Sequence, residues 1–187
     1  MKIEDKSVLI TGANRGIGRA LVNEALRRGA KRVYAGTRTG LQIADERVTP
    51  LTLDVTNAAQ IQQAVEEVES LDVLINNAGV AIYDDLSDVN VMEKQLAVNL
   101  MGALRVTQAF LPLLRRSKGA VVNNLSLAGL APLPIIPGYS ISKAAAFQHD
   151  AVTESTLGQP RRKRTRRAPR PSGYRHEPRL RDTEGFD

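Results

Sequence analysis

Short apolar runs alternate with longer amphipathic stretches along most of the chain. Runs of strand length lie near residues 7–11, 32–36, 50–54, 71–76 and 119–125. The stretches between them carry apolar residues at helical spacing and predict helices over 16–29, 40–46, 57–69, 88–115 and from about 138. Strands that alternate with helices are typical of a parallel, doubly wound α/β sheet.

Three of these helices have an apolar face that predicts how they pack. The predicted faces are Ile17, Leu21, Val22, Ala25 and Leu26 in the first helix, Ile61, Ala64, Val65 and Val68 in helix 57–69, and Leu96, Leu100, Ala103, Leu104, Thr107 and Leu111 in the long helix.

A glycine-rich turn follows the first predicted strand and opens the first helix. The segment 11–18 reads TGANRGIG. Its three glycines allow a tight turn and a close approach to a pyrophosphate, whose charge the helix N-terminus would meet. The predicted cofactor contacts in this turn are Gly12, Asn14, Arg15, Gly16, Ile17 and Gly18. An ordinary glycine loop is the alternative.

Polar and small residues also follow the later strands. Asn77, Ala78 and Gly79 come after strand 71–76, where small residues permit close passage of a nucleotide and amides can tie neighbouring strands together. Ser126 follows the fifth strand. In open α/β sheets ligands bind at the carboxyl edge of the strands, so these residues are predicted to converge on one crevice.

Tyr139 and Lys143 lie four residues apart in YSISK and would share one face of the last helix. A lysine ammonium one turn away can stabilise a tyrosinate, which makes the pair a candidate proton donor and acceptor. The alternative is a helix surface with an incidental Tyr and Lys.

Taken in order, the motifs TGANRGIG, NNAG, the serine after the fifth strand and YSISK closely resemble the short-chain dehydrogenase/reductase (SDR) family over residues 1–147. The resemblance implies a Rossmann fold and hydride transfer between a nicotinamide cofactor and a carbonyl or alcohol. It also implies Tyr139 as the general acid/base, Lys143 as the residue that tunes it and holds the nicotinamide ribose, and Ser126 as a hydrogen-bond partner of the substrate oxygen.

Two further assignments rest on the same resemblance. Asn99 matches the helix asparagine that holds a proton-relay water, although an interior helical Asn could instead face solvent or bond its own backbone. Asp54 and Val55 resemble the pair that contacts adenine, although Asp54 could equally cap helix 57–69.

The end of the second strand indicates the cofactor. NAD-type folds place an acidic residue there to bind the ribose 2′-hydroxyl, and that acid would repel a 2′-phosphate. Here the strand ends in Gly36-Thr37-Arg38, and Arg15 lies in the glycine turn. Guanidinium groups suit phosphate, so we predict NADP(H) as cofactor. Solvated surface charge is the alternative for both arginines.

The substrate, the partners and the compartment are less constrained. The apolar loop 127–136 is predicted to form a wall of the substrate site and favours an apolar carbonyl or alcohol; burial of this loop against the protein or a second subunit is the alternative. The resemblance implies association through the long helix and the Tyr/Lys helix. The chain has no cysteine, its apolar runs are too short to span a membrane, and the first residues do not form a signal peptide, so we expect a cytoplasmic protein without metal or membrane partner.

The character of the sequence changes after Phe147. Residues 148–187 carry 10 Lys/Arg and 6 Asp/Glu, and few are apolar. This composition predicts a disordered basic tail in place of the last two strands and lid of the family. An out-of-frame or truncated gene product would explain it. Three hypotheses stay open: an active reductase, a nucleotide-binding remnant without turnover, and a protein that associates with nucleic acid, which the lack of a recognition fold disfavours.

Overall fold

The computed structural model describes residues 2–41 and 43–156, with side chains described to Asp150. Of the predicted basic tail, 148–187, residues 148–156 form the end of a helix, so the prediction of disorder is wrong there, and residues 157–187 lie outside the described residues. Five strands form the sheet, and their bounds are β1 Ser7–Thr11, β2 Arg32–Thr37, β3 Val48–Thr52, β4 Val73–Asn76 and β5 Ala120–Asn123. They pair in the order β3-β2-β1-β4-β5, and every pairing is parallel.

The helices are α1 Gly16–Arg27, α2 Ala58–Glu67, α3 Val89–Leu96, α4 Ala103–Ser117 and α5 Pro137–Thr156. A π-helical segment, Ala97–Gly102, joins α3 to α4, and a 3-10 turn, Leu127–Gly129, follows β5. Apolar clusters pack on both faces of the sheet, one around Phe110 and Leu74 and the other around Val22 and Ile10. The predicted doubly wound α/β fold is confirmed.

The glycine turn and the other motif segments all follow carboxyl ends of strands. β1 lies at the centre of the sheet, between β2 and β4, which is the point where strand order reverses. In folds of this type the crevice at that point receives the ligand. The topology therefore places the predicted cofactor and catalytic segments on one edge.

The predicted helix over 40–46 is wrong. The described residues there form turns and coil, and the Arg47 N–H donates to the Asp45 carboxylate across a turn. Leu41 and Ile43 pack partly against the apolar cluster on the Val22 face. A stretch this short cannot sustain a helix without strong tertiary support, and its apolar residues are used as loop anchors instead.

The buried face of the long helix was also predicted incorrectly, except at Thr107. Leu96, Leu100, Ala103, Leu104 and Leu111 are only half-buried. The buried positions of α4 are Val106, Thr107, Phe110, Leu113 and Leu114. The predicted stripe assumed one period of 3.6 residues throughout, whereas the π-helical segment adds residues to the turn and rotates the face that follows it.

The other two predicted faces fared better. In α2, Ile61 and Ala64 are buried, as is Val68 just beyond it. In α1, Val22 and Ala25 are buried, but Ile17 is 64% exposed, because the core-facing residue of the first turn is Gly18.

One helical run, 89–117, is long and apolar enough to cross a membrane by length and composition. Its buried residues Val106, Phe110 and Leu114 belong to the apolar cluster on the sheet. A core helix of a soluble protein passes the same test. Only 33% of its most apolar stretch is buried, so packing accounts for part of its apolar character, and the run is longer than was expected from the sequence.

Candidate active site

The glycine turn packs closely against neighbouring backbone at Gly12 and Gly18. Gly12 and Gly16 have φ of +66° and +53°, a conformation that favours glycine. A Cβ on Gly18 would lie 2.0 Å from the Gly12 carbonyl oxygen, and a Cβ on Gly12 would lie 3.0 Å from the Cα of Ala78. The turn, the start of α1 and the segment after β4 thus come together only because Gly12 and Gly18 lack side chains. Such a cradle fits the pyrophosphate of a dinucleotide.

Hydrogen bonds lock the ends of three strands side by side. The buried Thr11 hydroxyl accepts from the N–H groups of Asn77 and Ala78, both at 3.0 Å. The Asn77 amide donates to the Thr11 carbonyl at 2.9 Å and accepts from the Asn124 amide at 3.0 Å. The prediction that the asparagine amide ties neighbouring strands is confirmed, and it links β1, β4 and β5.

Asn99 lies in the π-helical segment and is only 4% exposed. Its side-chain oxygen accepts from the Val80 N–H and its amide donates to the Val80 carbonyl, both at 2.8 Å. The amide also donates to the Ser142 hydroxyl on α5 at 2.9 Å. Neither structural alternative applies, since the side chain faces neither solvent nor its own backbone. It joins the loop after β4 to the helix of Tyr139 and Lys143.

Lys143 is buried beside Tyr139. Its Nζ donates to the Asn124 carbonyl at 2.8 Å and lies 5.9 Å from the centre of the Tyr139 ring. Burial lowers the pKa of this lysine below its ordinary value of 10.5. A Cβ on Gly79 would lie 3.8 Å from this Nζ and 3.2 Å from the Asn99 side-chain oxygen. The glycine of NNAG therefore lets the backbone approach the asparagine and the lysine closely.

Ser126 is held by the turn that follows it. Its hydroxyl oxygen accepts from the Ala128 N–H at 3.2 Å, so its own O–H proton is left to donate elsewhere. A Cβ on Gly129 would lie 2.8 Å from the Lys143 backbone, which shows how closely this turn packs on α5. The structure thus brings the serine segment and the Tyr/Lys helix into direct contact.

The two predicted phosphate contacts, Arg15 and Arg38, are exposed and follow the carboxyl ends of β1 and β2. Within the described residues, neither guanidinium forms a hydrogen bond or an ion pair. Asn14 and Ile17 of the same turn are also exposed. These side chains remain open to solvent at the edge where a nucleotide would lie.

Asp54 does not cap α2. Asn57 does so, because its side chain accepts from the N–H groups of Ala59 and Gln60. Burial raises the pKa of Asp54, but hydrogen bonds from Thr56 and the charge of Arg38 outweigh it and hold the pKa below 3.8.

Val55 is 5% exposed and packs against Gly102, where a Cβ would lie 2.6 Å away. Its side chain belongs to the core.

Four residues of this network were missed by the motifs: Thr11 in its hydrogen-bonding role, Asn124, Ser142 and Gln95. Each acts through a backbone atom or a partner distant in sequence. Thr11 and Ser142 lie inside the motifs TGANRGIG and YSISK, and Asn124 lies near the end of the predicted fifth strand, whereas no sequence signal marks Gln95.

Comparisons with known proteins agree with this geometry. The sequence model of the short chain dehydrogenase family matches residues 6–158. Estradiol 17-beta-dehydrogenase 2 of Rattus norvegicus is 36% identical over 174 residues, which cover 84% of this chain and 45% of that protein. The chain thus spans less than half the length of this relative.

Two solved structures are similar. A short chain dehydrogenase from Burkholderia cenocepacia J2315 in complex with NADP has 35% identity and a TM-score of 0.81, covering 84% of this chain and 68% of that one. A short chain dehydrogenase/reductase from Burkholderia phymatum in complex with NAD has 28% identity and a TM-score of 0.75, covering 83% and 61%. With the strand order, the glycine turn and the Tyr/Lys helix, these matches show that the chain belongs to the short-chain dehydrogenase family of oxidoreductases.

Proposed function

We propose that the protein is an NADP(H)-dependent oxidoreductase that interconverts a carbonyl and an alcohol. The observation that carries this proposal is the convergence of Asn99 and the backbone of Gly79 on Lys143, whose Nζ lies 5.9 Å from the centre of the Tyr139 ring. A buried ammonium with a single carbonyl partner next to a tyrosine ring is costly to maintain, and catalysis gives it a use.

The chain's own residues supply the proton chemistry. When bound, the nicotinamide supplies or accepts the hydride. Tyr139 gives a proton to the substrate oxygen in reduction and takes it back in oxidation, and the nearby Lys143 charge stabilises its phenolate form. The free O–H of Ser126 donates to the same oxygen. Asn99 holds the loop after β4 against α5 and so keeps these groups in register.

The phosphate preference is part of the proposal and rests on charge. Position 38, just after β2, holds an arginine where an acid would select the ribose 2′-hydroxyl. Arg38 and Arg15 are free to pair with a 2′-phosphate. We propose Asp54 and the Val55 backbone as adenine neighbours, with the Val55 side chain left in the core.

The loop after Ser126 favours an apolar substrate. Leu127, Leu130, Leu133 and Ile135 expose between 45% and 81% of their surface beside the proposed site. An exposed apolar group of this kind marks a binding surface. The name of the rat relative, estradiol 17-beta-dehydrogenase 2, refers to a large apolar alcohol and fits this preference. We also propose that the protein is cytoplasmic.

The test measures turnover with a panel of apolar and polar ketones through the loss of NADPH absorbance. NADPH binding is measured in the same preparation. We expect ketone-dependent oxidation that is fastest with apolar ketones. Tight NADPH binding without oxidation of NADPH by any ketone would refute the catalytic proposal and leave a nucleotide-binding protein.

A further inference from the structure

The first turn of α5 is held by a carboxylate from the loop after β4. α5 begins at Pro137, and Gly138 carries one of the N–H groups that a helix start leaves without an intrahelical partner. This N–H donates to both carboxylate oxygens of Asp84, at 3.2 and 3.3 Å. A carboxylate at this end is also favoured by the helix dipole.

Asp84 is in turn held by a buried glutamine on α3. The Gln95 side chain is fully buried, its amide donates to the Asp84 carboxylate at 3.1 Å, and its oxygen accepts from the Ile82 N–H at 3.1 Å. Asn99, one helical turn further on, holds Val80 in the same way. Two side chains on one helix face thus fix the loop from which Asp84 reaches α5.

The first turn of α5 packs closely against Gln95 and Asp84 at Gly138. A Cβ on Gly138 would lie 2.8 Å from the Gln95 amide nitrogen and 3.0 Å from an Asp84 carboxylate oxygen. The helix start therefore approaches the glutamine and the carboxylate only because residue 138 has no side chain. Tyr139 is the next residue along this turn.

We propose that Asp84 and Gln95 are positioning residues for Tyr139. They brace the first turn of α5 against the loop after β4, while Lys143 is anchored one turn later by the Asn124 carbonyl. This inference rests on the proposed function. In it the brace acts on proton transfer by Tyr139, while the pyrophosphate of the cofactor is held by the glycine turn. Misplacement of a reacting group by about 1 Å can cost roughly a hundredfold in rate.

The experiment compares three variants of the full chain. Asp84→Ala removes the brace, Asp84→Asn keeps one oxygen that can accept the Gly138 N–H, and Asp85→Ala is the matched control. Asp85 is the exposed neighbour, and its carboxylate accepts from Ser87 instead. The readouts are kcat, KM for ketone and NADPH, and amide hydrogen exchange at residues 138–140.

We expect Asp84→Ala to lower kcat by about 10- to 100-fold with KM for NADPH nearly unchanged, Asp84→Asn to lie between it and the wild type, and Asp85→Ala to match the wild type. Exchange of the Gly138 amide should be faster by roughly tenfold or more in Asp84→Ala alone. Equal kcat in the two alanine variants would overturn the proposal.

A wild-type protein without ketone turnover would contradict the proposed function, not the brace. The exchange measurement then decides the brace by itself: faster exchange of the Gly138 amide in Asp84→Ala than in Asp85→Ala supports it, and equal exchange refutes it.

Discussion

Arg38 is the side chain whose proposed role in cofactor selection is most directly testable. It follows β2, is exposed, and reaches Asp54 through its charge. Arg38→Asp should weaken NADPH binding by more than tenfold, about 1.4 kcal/mol, with NADH binding unchanged or improved. Binding titrations of both nucleotides check this, with Arg105→Asp on exposed α4 surface as the control. Equal losses for both nucleotides would argue against a phosphate contact.

Lys143 is expected to cost stability while serving catalysis. Its folded pKa lies below 10.5 because of burial. Between the two pKa values the unfolded chain binds more protons, so the contribution of this group to the free energy of unfolding rises with pH there and is least favourable below the folded pKa. Lys143→Met should therefore leave the Tm at neutral pH unchanged or higher. It should also abolish turnover, because the charge proposed to stabilise the Tyr139 phenolate is removed. Thermal unfolding of both proteins at neutral and high pH is the measurement; a large loss of Tm in the variant at neutral pH would contradict this expectation.

Residue types were easier to predict than residue partners. The sequence places Lys143 near Tyr139 and Ser126 after β5, because helical spacing and strand ends are local features. It does not reveal that Asn124 holds the lysine through its carbonyl, or that Gln95 is fully buried. Those contacts join elements far apart in sequence, and no periodic pattern encodes them.

At the scale of elements, the π-helical segment separates what could be predicted from what could not. A helix across residues 88–115 was expected, and α3 and α4 are its two α-helical parts. The extra residue per turn between them is invisible to an apolar pattern read at a 3.6 period. It rotates the buried face toward Val106 and Phe110, and it presents Asn99 to Val80 and Ser142.

The contact between the glycine turn and α1 makes a second test at this scale. In Gly18→Ala the new Cβ would meet the Gly12 carbonyl oxygen at 2.0 Å, so the turn must open. We expect NADPH affinity to fall by more than tenfold and the Tm to drop. Gly40→Ala is the matched control, because a Cβ there meets nothing within 4 Å. Equal NADPH affinity in the two variants would contradict the proposed cradle.

At the scale of the whole molecule, the question is where the domain ends. The predicted boundary at residue 147 falls inside α5, which continues to Thr156, and Asp150 accepts from the Asn123 amide at 2.5 Å. We propose that the domain includes this part of α5. A chain that ends at residue 158 should keep the Tm and NADPH affinity of the full chain.

A chain that ends at residue 147 should lose about 3 °C or more in Tm, since a hydrogen bond to a charged group is lost with the end of the helix. Asp150→Ala in the longer chain isolates the bond. Identical melting of the two truncated chains would restore the boundary at residue 147.

The most direct test of the account is transfer of deuterium from NADPH labelled at nicotinamide C4 to an apolar ketone, measured in the product alcohol for the wild type and Tyr139→Phe. The account predicts deuterium at the carbinol carbon with the wild type and no product with the variant, although both bind NADPH equally well. Product formed equally well by Tyr139→Phe, or no labelled product from the wild type with any ketone, would contradict it.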